Sequence, residues 1–173
     1  MGQAKLENKK KIGILGGTFD PAHIGHIKIS ITAKKIFKLD KVIWAITKKN
    51  PYKKNSSLNL KERISYAKKI SLKNKFIKIG FYEDKIKSNK TINLIKFFIK
   101  KNKNTEIYFI MGADNLINFH KWEKYNLIPG LCKILVFDRD GYKSKSLKSL
   151  SFKKYNNKSL EFIKFKKVKI SSS

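Results

Sequence analysis

Two histidines, His23 and His26, are the side chains of this sequence whose type and spacing best suit chemistry. They are three residues apart at the predicted start of a helix, so both rings lie on one face of its first turn, which we expect to be outside the apolar face of that helix. Imidazoles there can donate hydrogen bonds to phosphate oxygens, and the positive end of the helix dipole favours the same anion. Gly16 and Gly17 let backbone N–H groups approach a phosphate, and Gly25 leaves space between the rings. The pattern predicts a phosphate site.

Two other interpretations of these residues are weaker. A histidine pair at this spacing can bind a metal, but no third ligand is near in the sequence, where the only other histidine is His120. A Gly-Gly pair after a strand is often only a turn. Because the whole segment Gly16–His26 meets several requirements of a phosphate site together, we favour the phosphate interpretation and predict no protein-held metal.

The elements that must position this segment alternate along the chain. Short β-rich runs alternate with longer helix-like runs, which is typical of an α/β fold with an open parallel sheet flanked by helices. The predicted strands are Lys11–Leu15, Val42–Thr47, Phe76–Phe81, Ile107–Met111, Lys133–Phe137 and Phe162–Ile170. The predicted helices are His23–Phe37, Leu60–Ile70, Thr91–Ile99 with Thr91 as N-cap, and one or two turns over Ala113–Tyr125. The glycine pair therefore ends the first strand, where ligands of such sheets commonly bind.

Two segments fall outside this alternation. Residues 1–10 are polar and predict a flexible tail, which leaves residues 11–173 as a single domain. Residues 142–160 are rich in Lys and Ser without a clear period, which predicts a mobile loop.

Lysine dominates the charge of the chain. Lys and Arg total 41 against 12 Asp and Glu, a formal net charge of +29. Only Arg63 and Arg139 are arginine, so the other 39 are lysines, spread over nearly every segment. Nucleic-acid readers tend to cluster their basic residues and to use arginine for bidentate contacts. We attribute the charge to an AT-rich codon bias and expect no specific nucleic-acid partner.

Composition also excludes several classes of protein. No apolar run approaches the ~20 residues that span a bilayer, and the polar N-terminus lacks a signal-peptide core. The single Cys132 excludes an intramolecular disulfide framework and a multi-cysteine zinc cluster. We expect a cytoplasmic protein with no membrane partner; its oligomeric state is not determined by the sequence.

Four segments together resemble a known family. The string GGTFDPAHIGH over Gly16–His26 resembles the HxGH nucleotidyltransferases, and in this longer form it looks like that of the bacterial nicotinate-nucleotide adenylyltransferases. Gly112-Ala113-Asp114-Asn115-Leu116 followed by Trp122 resembles a second block of that family, and Asn50-Pro51-Tyr52-Lys53 and Ile170–Ser173 resemble two shorter ones. The resemblance implies a Rossmann-like fold and transfer of an adenylyl group from ATP to nicotinate mononucleotide.

The resemblance also implies roles for individual residues. His23, His26 and Thr18 correspond to residues that act on the ATP phosphates, and Mg²⁺ is expected to accompany ATP. The other residues implied in ATP binding are Gly16, Gly17, Phe19, Gly25, Gly112, Asp114, Arg139, Ser171 and Ser172. The residues implied in binding the mononucleotide are Asn50, Lys53, Thr91 and Trp122.

Departures from the family leave two alternatives open. The serines Ser171–Ser173 also fit a pantetheine-phosphate adenylyltransferase, although Gly17-Thr18 and the block around Trp122 do not. An RNA-binding module driven by the net charge is the second alternative, but the aromatic residues lie in apolar runs rather than among the lysines. The family's arginine shortly after the serines is missing, so that either the sequence is truncated there or lysines take its place.

Overall fold

The first strand occupies a central position in a parallel sheet. The computed structural model of the chain describes residues 9–48 and 58–165, and in them the strands make one six-stranded sheet. The strands are β1 (Lys10–Gly17), β2 (Lys41–Ile46), β3 (Ile77–Gly80), β4 (Thr105–Gly112), β5 (Lys133–Phe137) and β6 (Leu160–Ile163). They are all parallel, in the order β3-β2-β1-β4-β5-β6. This order is that of doubly wound nucleotide-binding folds, so the predicted open parallel sheet is confirmed.

Helices connect the strands and cover both faces of the sheet. Those of the described residues are α1 (Ile24–Phe37), α2 (Leu60–Ile70), α3 (Glu83–Ile86), α4 (Thr91–Lys101), α5 (Ala113–Ile117), α6 (Ile128–Leu131), α7 (Lys143–Leu147) and α8 (Leu150–Tyr155). The long helices α1, α2 and α4 were predicted within two residues of their observed bounds. Across the two described stretches, none of these helices is both long and apolar enough to cross a membrane.

The strands are buried on both faces, which explains why they read as continuous apolar runs. Successive residues of β2 alternate between two clusters: Ile43 packs on the side of α4, and Trp44 packs on the side of α1 and α2. Trp44 has no exposed surface, and its indole Nε1 donates to Ser30 Oγ of α1 at 2.8 Å. This hydrogen bond satisfies the only polar atom of a ring buried directly beneath the histidine segment.

The sheet order reverses at β1, and this reversal creates a crevice. β1 pairs with β2 on one side, as in Gly17↔Ile46, and with β4 on the other, as in Leu15↔Ile110. The connections after β1 and β4 leave toward opposite faces, so a crevice opens between their carboxyl ends. The histidine segment follows β1, and Gly112 ends β4. The two most specific motifs of the sequence therefore flank one crevice.

Two predictions about local structure were wrong. Residues 142–160 are not a mobile loop, because α7 and α8 occupy most of them. Ser149 caps α8 by accepting from the Phe152 N–H at 3.2 Å, and the small Ser146 and Ser151 are buried while the lysines face solvent. The short helical turns predicted over Ala113–Tyr125 are confirmed, since α5 is followed by two 3₁₀ turns, Phe119–Lys121 and Tyr125–Leu127.

The second correction concerns the start of α4. Its N-cap is Lys90 and Thr91 is the first helical residue, so Thr91 does not cap the helix. Ser88 organises this start instead: its Oγ accepts from the Lys90 N–H at 3.1 Å and from Asn93 Nδ2 at 2.8 Å. The last strand is Leu160–Ile163, so Lys164 and Phe165 of its predicted range are not strand. Residues 166–170 of that range lie outside the described residues, as does most of the predicted tail. The assignment of residues 11–173 to one domain stays a prediction.

Candidate active site

His23 begins α1 in a way that fixes its own ring. It is the N-cap residue, and its Nδ1 accepts a hydrogen bond from the Gly25 N–H at 3.1 Å. This is the role that Asn, Asp or Ser usually plays, and here an imidazole nitrogen takes the place of the side-chain oxygen. Because Nδ1 accepts, the proton of the neutral ring is on Nε2. His23 therefore presents an N–H donor at the crevice.

His26 completes a reciprocal cap with His23. Its Nδ1 accepts from the His23 backbone N–H at 3.0 Å, so its neutral ring also carries its proton on Nε2. The ring lies 3.9 Å from that of His23 and 4.6 Å from that of Phe19, between centroids. The sequence predicted that both histidines lie outside the apolar face of α1. That prediction is wrong for His26, whose ring packs on Phe19 and Trp44.

Both rings are held in the neutral form. Removal from water, together with the charges of His23 and Arg139, lowers the pKa of His26 to about 3. Partial burial and then the charge of Arg139 lower the pKa of His23. At neutral pH the pair therefore offers two Nε2–H donors rather than two positive charges. Fixed donors of this kind are what a developing phosphate charge requires.

The turn between β1 and α1 leaves room for a ligand. A Cβ at Gly16 would lie 3.7 Å from the Phe109 ring, and one at Gly17 would lie 3.5 Å from the Phe19 ring. Both are ordinary contacts, so packing inside the protein does not require glycine at either position. The Phe19 side chain is buried, with 2% exposed, so any contact of Phe19 with ATP is through its backbone. Thr18 is half-buried at the centre of this turn.

The end of β4 contributes a carboxylate and an arginine. Asp114 Oδ2 accepts from Arg139 Nη1 at 2.7 Å, and the guanidinium also lies over the Tyr142 ring. The second oxygen, Oδ1, is buried and has no hydrogen-bond partner among residues 9–48 and 58–165. Oδ1 lies only 2.5 Å from the position that a Cβ of residue 112 would occupy. Glycine at position 112 therefore makes space for this carboxylate. An unpartnered acceptor at the crevice suits a ribose hydroxyl.

Two of the residues predicted to bind the mononucleotide, Thr91 and Trp122, lie on segments that contact each other. Trp122 is half-exposed and packs edge-on against Phe119 at 5.2 Å and Phe109 at 6.1 Å. Lys90, which precedes Thr91, pairs with Glu123, which follows Trp122, at 3.9 Å. This contact joins the start of α4 to the Trp122 segment. The indole is thus held by two aromatic rings, while part of it stays accessible.

Four predicted site residues fall outside the described residues: Asn50, Lys53, Ser171 and Ser172. The two described residues that flank the segment 49–57 are both bonded near the site. The Lys48 N–H donates to Glu83 Oε2 at 3.3 Å, and the Leu58 N–H donates to Asp20 Oδ1 at 3.1 Å. The roles of Asn50 and Lys53 stay predictions.

Sequence reasoning missed one residue of this region, Arg63. It is 2% exposed, and it donates three hydrogen bonds to backbone carbonyls at the ends of β1 and β2. The signal that could have found it is composition. In a chain with 39 lysines and two arginines, both arginines lie at the carboxyl edge of the sheet, where a planar fork of donors cannot be replaced by a lysine.

Comparisons with known proteins agree with this geometry. The model of the cytidylyltransferase-like family matches residues 14–173. A Pelagibacter ubique protein named probable nicotinate-nucleotide adenylyltransferase is 62% identical over 167 residues, which cover 96% of this chain and 92% of the relative. A Clostridium perfringens protein of the same name is 39% identical over 141 residues, 80% of this chain and 69% of the relative.

Solved structures share the fold. The Plasmodium falciparum nicotinic acid mononucleotide adenylyltransferase, solved in complex with NaAD, superposes with a TM-score of 0.72 over 92% of this chain and 77% of that one, at 19% identity. The motifs on both sides of the crevice, the strand order and the sequence relatives lead to one assignment. The chain belongs to the cytidylyltransferase-like family, as a relative of its nicotinate-nucleotide adenylyltransferases.

Proposed function

We propose that this protein transfers the adenylyl group of ATP to nicotinate mononucleotide, giving deamido-NAD and pyrophosphate in NAD biosynthesis. The observation that carries the proposal is the pair of Nε2–H donors, His23 and His26, at the crevice between β1 and β4. The 62% identity to the Pelagibacter relative over nearly the whole chain supports this acceptor rather than another phosphate monoester.

The reaction is a displacement at phosphorus. An oxygen of the mononucleotide phosphate forms a bond to the α-phosphorus of ATP. The bond from that phosphorus to the oxygen that bridges the α- and β-phosphorus atoms breaks, and pyrophosphate leaves. Both reacting groups are anions, so the barrier depends on bringing them together and on stabilising charge at the phosphate oxygens. These are tasks of positioning and electrostatics that need no covalent intermediate on the protein.

The turn after β1 both positions the ATP phosphates and stabilises their charge. The neutral rings of His23 and His26 donate from Nε2 to phosphate oxygens, and the N-terminus of α1 adds the positive end of its dipole. Gly16 and Gly17 let the triphosphate approach the backbone, and Thr18 lies beside the reacting phosphate. Because both rings are already held by backbone hydrogen bonds, little reorganisation is needed when the substrate arrives.

A divalent ion would be held mostly by the substrate. Among residues 9–48 and 58–165 no group of three or more His, Cys, Asp or Glu side chains could hold a metal ion. Mg²⁺ commonly binds nucleotide phosphates and keeps several waters, so we expect the ion to be carried in with ATP. When bound, Mg²⁺ would neutralise charge on the phosphate oxygens. The protein's own part is to hold those phosphates with the donors at the start of α1.

The two ends of the substrates are assigned to the two sides of the crevice. On the adenosine side, the free Oδ1 of Asp114 accepts from a ribose hydroxyl, and Arg139, held by the other oxygen, lies toward the phosphates. On the acceptor side, the pyridine ring stacks on Trp122, since a cationic ring is attracted to an indole face. The first turn of α4, beginning at Thr91, offers backbone N–H groups to the nicotinate carboxylate.

The test is pyrophosphate release measured with ATP and each of three acceptors: nicotinate mononucleotide, nicotinamide mononucleotide and phosphopantetheine. We expect nicotinate mononucleotide to be preferred over the amide by at least about tenfold in kcat/KM, because an amide leaves donors of the pocket unpaired at a cost of roughly 1–3 kcal/mol. Phosphopantetheine as the best acceptor would support the alternative adenylyltransferase. Release with none of the three would refute the proposal.

A further inference from the structure

Arg63 of α2 is the most unusual charged residue of the described chain. Its side chain is fully buried, with 2% of the residue exposed. Among the ion pairs that residues 9–48 and 58–165 form with one another, Arg63 takes part in none. Burying a guanidinium is costly unless hydrogen bonds compensate for the lost water. The bonds that Arg63 makes should therefore indicate why it is there.

Every hydrogen bond shown for the guanidinium goes to a backbone carbonyl at the carboxyl edge of the sheet. Nη1 donates to Thr18 O at 2.7 Å and to Thr47 O at 2.8 Å, and Nη2 donates to Lys48 O at 2.8 Å. Thr18 directly follows β1, and Thr47 and Lys48 directly follow β2. Arg63 thus joins the turn that leads to the histidines to the chain that leads toward residues 49–57.

The bond to Thr18 has a direct consequence for the phosphate turn. In a trans peptide the carbonyl and the next N–H point in opposite directions. With Thr18 O turned inward to Arg63, the Phe19 N–H points the other way, and no described group accepts from it. A backbone donor is therefore left beside Gly17, facing away from the buried guanidinium.

The backbone at Phe19 needs external support. Its φ is +48°, in the left-handed region that an aromatic residue rarely adopts and that costs of order 1 kcal/mol or more. Two contacts hold it: the Phe19 ring is stacked on Trp44 at 5.0 Å, and the preceding carbonyl is bound by Arg63. The His26 ring rests on the same Phe19 ring. The orientation of His26 therefore depends on the turn that Arg63 holds.

We propose that Arg63 is a positioning residue for adenylyl transfer: it fixes the Thr18–Phe19 peptide so that the Phe19 N–H and the rings of His23 and His26 converge on the same phosphate group. Arg63 does not contact substrate. It acts through the Thr18 carbonyl and through Phe19. A lysine could keep the charge but could not bind three carbonyls with one planar fork, which accounts for an arginine in a lysine-rich chain. This inference rests on the proposed function.

The test compares Arg63→Lys and Arg63→Gln with a matched structural control. Ile134→Val removes one methylene from β5, which is two strands away from β1 and has no contact shown with Arg63, at an expected cost of about 0.5–1.5 kcal/mol. Turnover is measured with both substrates saturating, at a temperature where circular dichroism shows every variant fully folded. We expect kcat to fall at least tenfold in Arg63→Lys and further in Arg63→Gln, and to stay within twofold in Ile134→Val.

A spectroscopic measurement separates positioning from stability. Long-range ¹H–¹⁵N spectra report the tautomer and surroundings of each imidazole without substrate. We expect the His26 Nδ1 and Nε2 resonances to shift in the Arg63 variants and to be unchanged in Ile134→Val. If a folded Arg63 variant keeps kcat within twofold of the wild type, or leaves these resonances in place, Arg63 is only structural. If the wild type itself forms no deamido-NAD, the proposed function fails instead, and the spectra still test whether Arg63 sets the histidines.

Discussion

The Nδ1 atom of His26 accepts a hydrogen bond from the backbone N–H of His23 at 3.0 Å, so each histidine helps to fix the other. His23 in turn uses its own Nδ1 to cap α1 through Gly25. In each ring, Nδ1 takes part in the cap of α1, and Nε2 remains available to a ligand. A substitution that replaces the hydrogen bond of Nδ1 but not that of Nε2 can therefore separate the structural role from the proposed catalytic role.

His23→Asn provides that separation. The asparagine oxygen can replace Nδ1 as a helix cap, whereas nothing replaces the Nε2–H donor. We expect kcat to fall by about 10²–10³ while the free energy of unfolding stays within about 0.5 kcal/mol of the wild type. His23→Ala should lose the same activity and about 1 kcal/mol of stability in addition. Urea denaturation and pyrophosphate release check both; normal turnover by folded His23→Asn would remove His23 from catalysis.

Acid should destabilise the protein through His26. Its pKa is about 3 in the folded state, against about 6.5 when unfolded, so between these values the unfolded chain binds more protons. The contribution is complete above pH 6.5 and is lost as the pH falls toward 3, with a slope of at most about 1.4 kcal/mol per pH unit. Urea titrations of the wild type and His26→Gln across this range measure it. If the free energies of unfolding of the two proteins depend on pH in the same way, the His26 ring is not held buried in its neutral form.

Gly17→Ala should change binding but not folding. The added Cβ meets only the Phe19 ring, at 3.5 Å, so the protein itself can accommodate it. We expect the melting temperature to be unchanged or slightly raised, because alanine lowers the entropy of the unfolded chain by an equivalent of about 0.4–1 kcal/mol. If Gly17 lines the triphosphate site as proposed, the added methyl group obstructs the triphosphate, and KM for ATP should rise at least tenfold. Gly130→Ala is the control, because its Cβ would meet nothing within 4 Å, and it should have the KM for ATP of the wild type. If Gly17→Ala and Gly130→Ala have the same KM for ATP, Gly17 is not a phosphate contact.

Trp122 should report on the acceptor. The other tryptophan, Trp44, has no exposed surface and is bonded to Ser30, so a ligand cannot reach it. If the pyridine ring stacks on the half-exposed indole as proposed, nicotinate mononucleotide should quench the fluorescence of the wild type and leave that of Trp122→Phe unaffected. If calorimetry shows binding without quenching, or if quenching persists in Trp122→Phe, the pyridine subsite lies elsewhere.

The parts of this protein that sequence reasoning could predict are those with a local pattern. Strands buried on both faces are apolar throughout, and α1, α2 and α4 repeat their apolar residues at the helical period, so their positions were clear. The helices over residues 142–160 were not, because small serines rather than large apolar residues face the core: Ser146 and Ser151 are both buried. A pattern of hydrophobicity does not reveal a face made of serine.

The site was predicted unevenly for a related reason. Motif residues such as His23 and Asp114 are recognisable by type, and the sheet order then places them at one crevice. Arg63 is not recognisable in this way, since its partners are carbonyls that every residue possesses. The side of His26 that packs on Phe19 also required coordinates, because the positive φ of Phe19 cannot be predicted for an aromatic residue.

The position of β1 in the middle of the sheet affects when the crevice can exist. Its partners in β4 are 95 residues further along, as in Lys10↔Thr105 and Leu15↔Ile110. During synthesis the histidine turn emerges early, yet its opposite wall, at Gly112 and Asp114, is made only after β2, β3 and α4. Such a non-local contact is slow to form because a long loop must close first. A nucleotide that binds both walls would therefore recognise only chains whose sheet is already complete through β4.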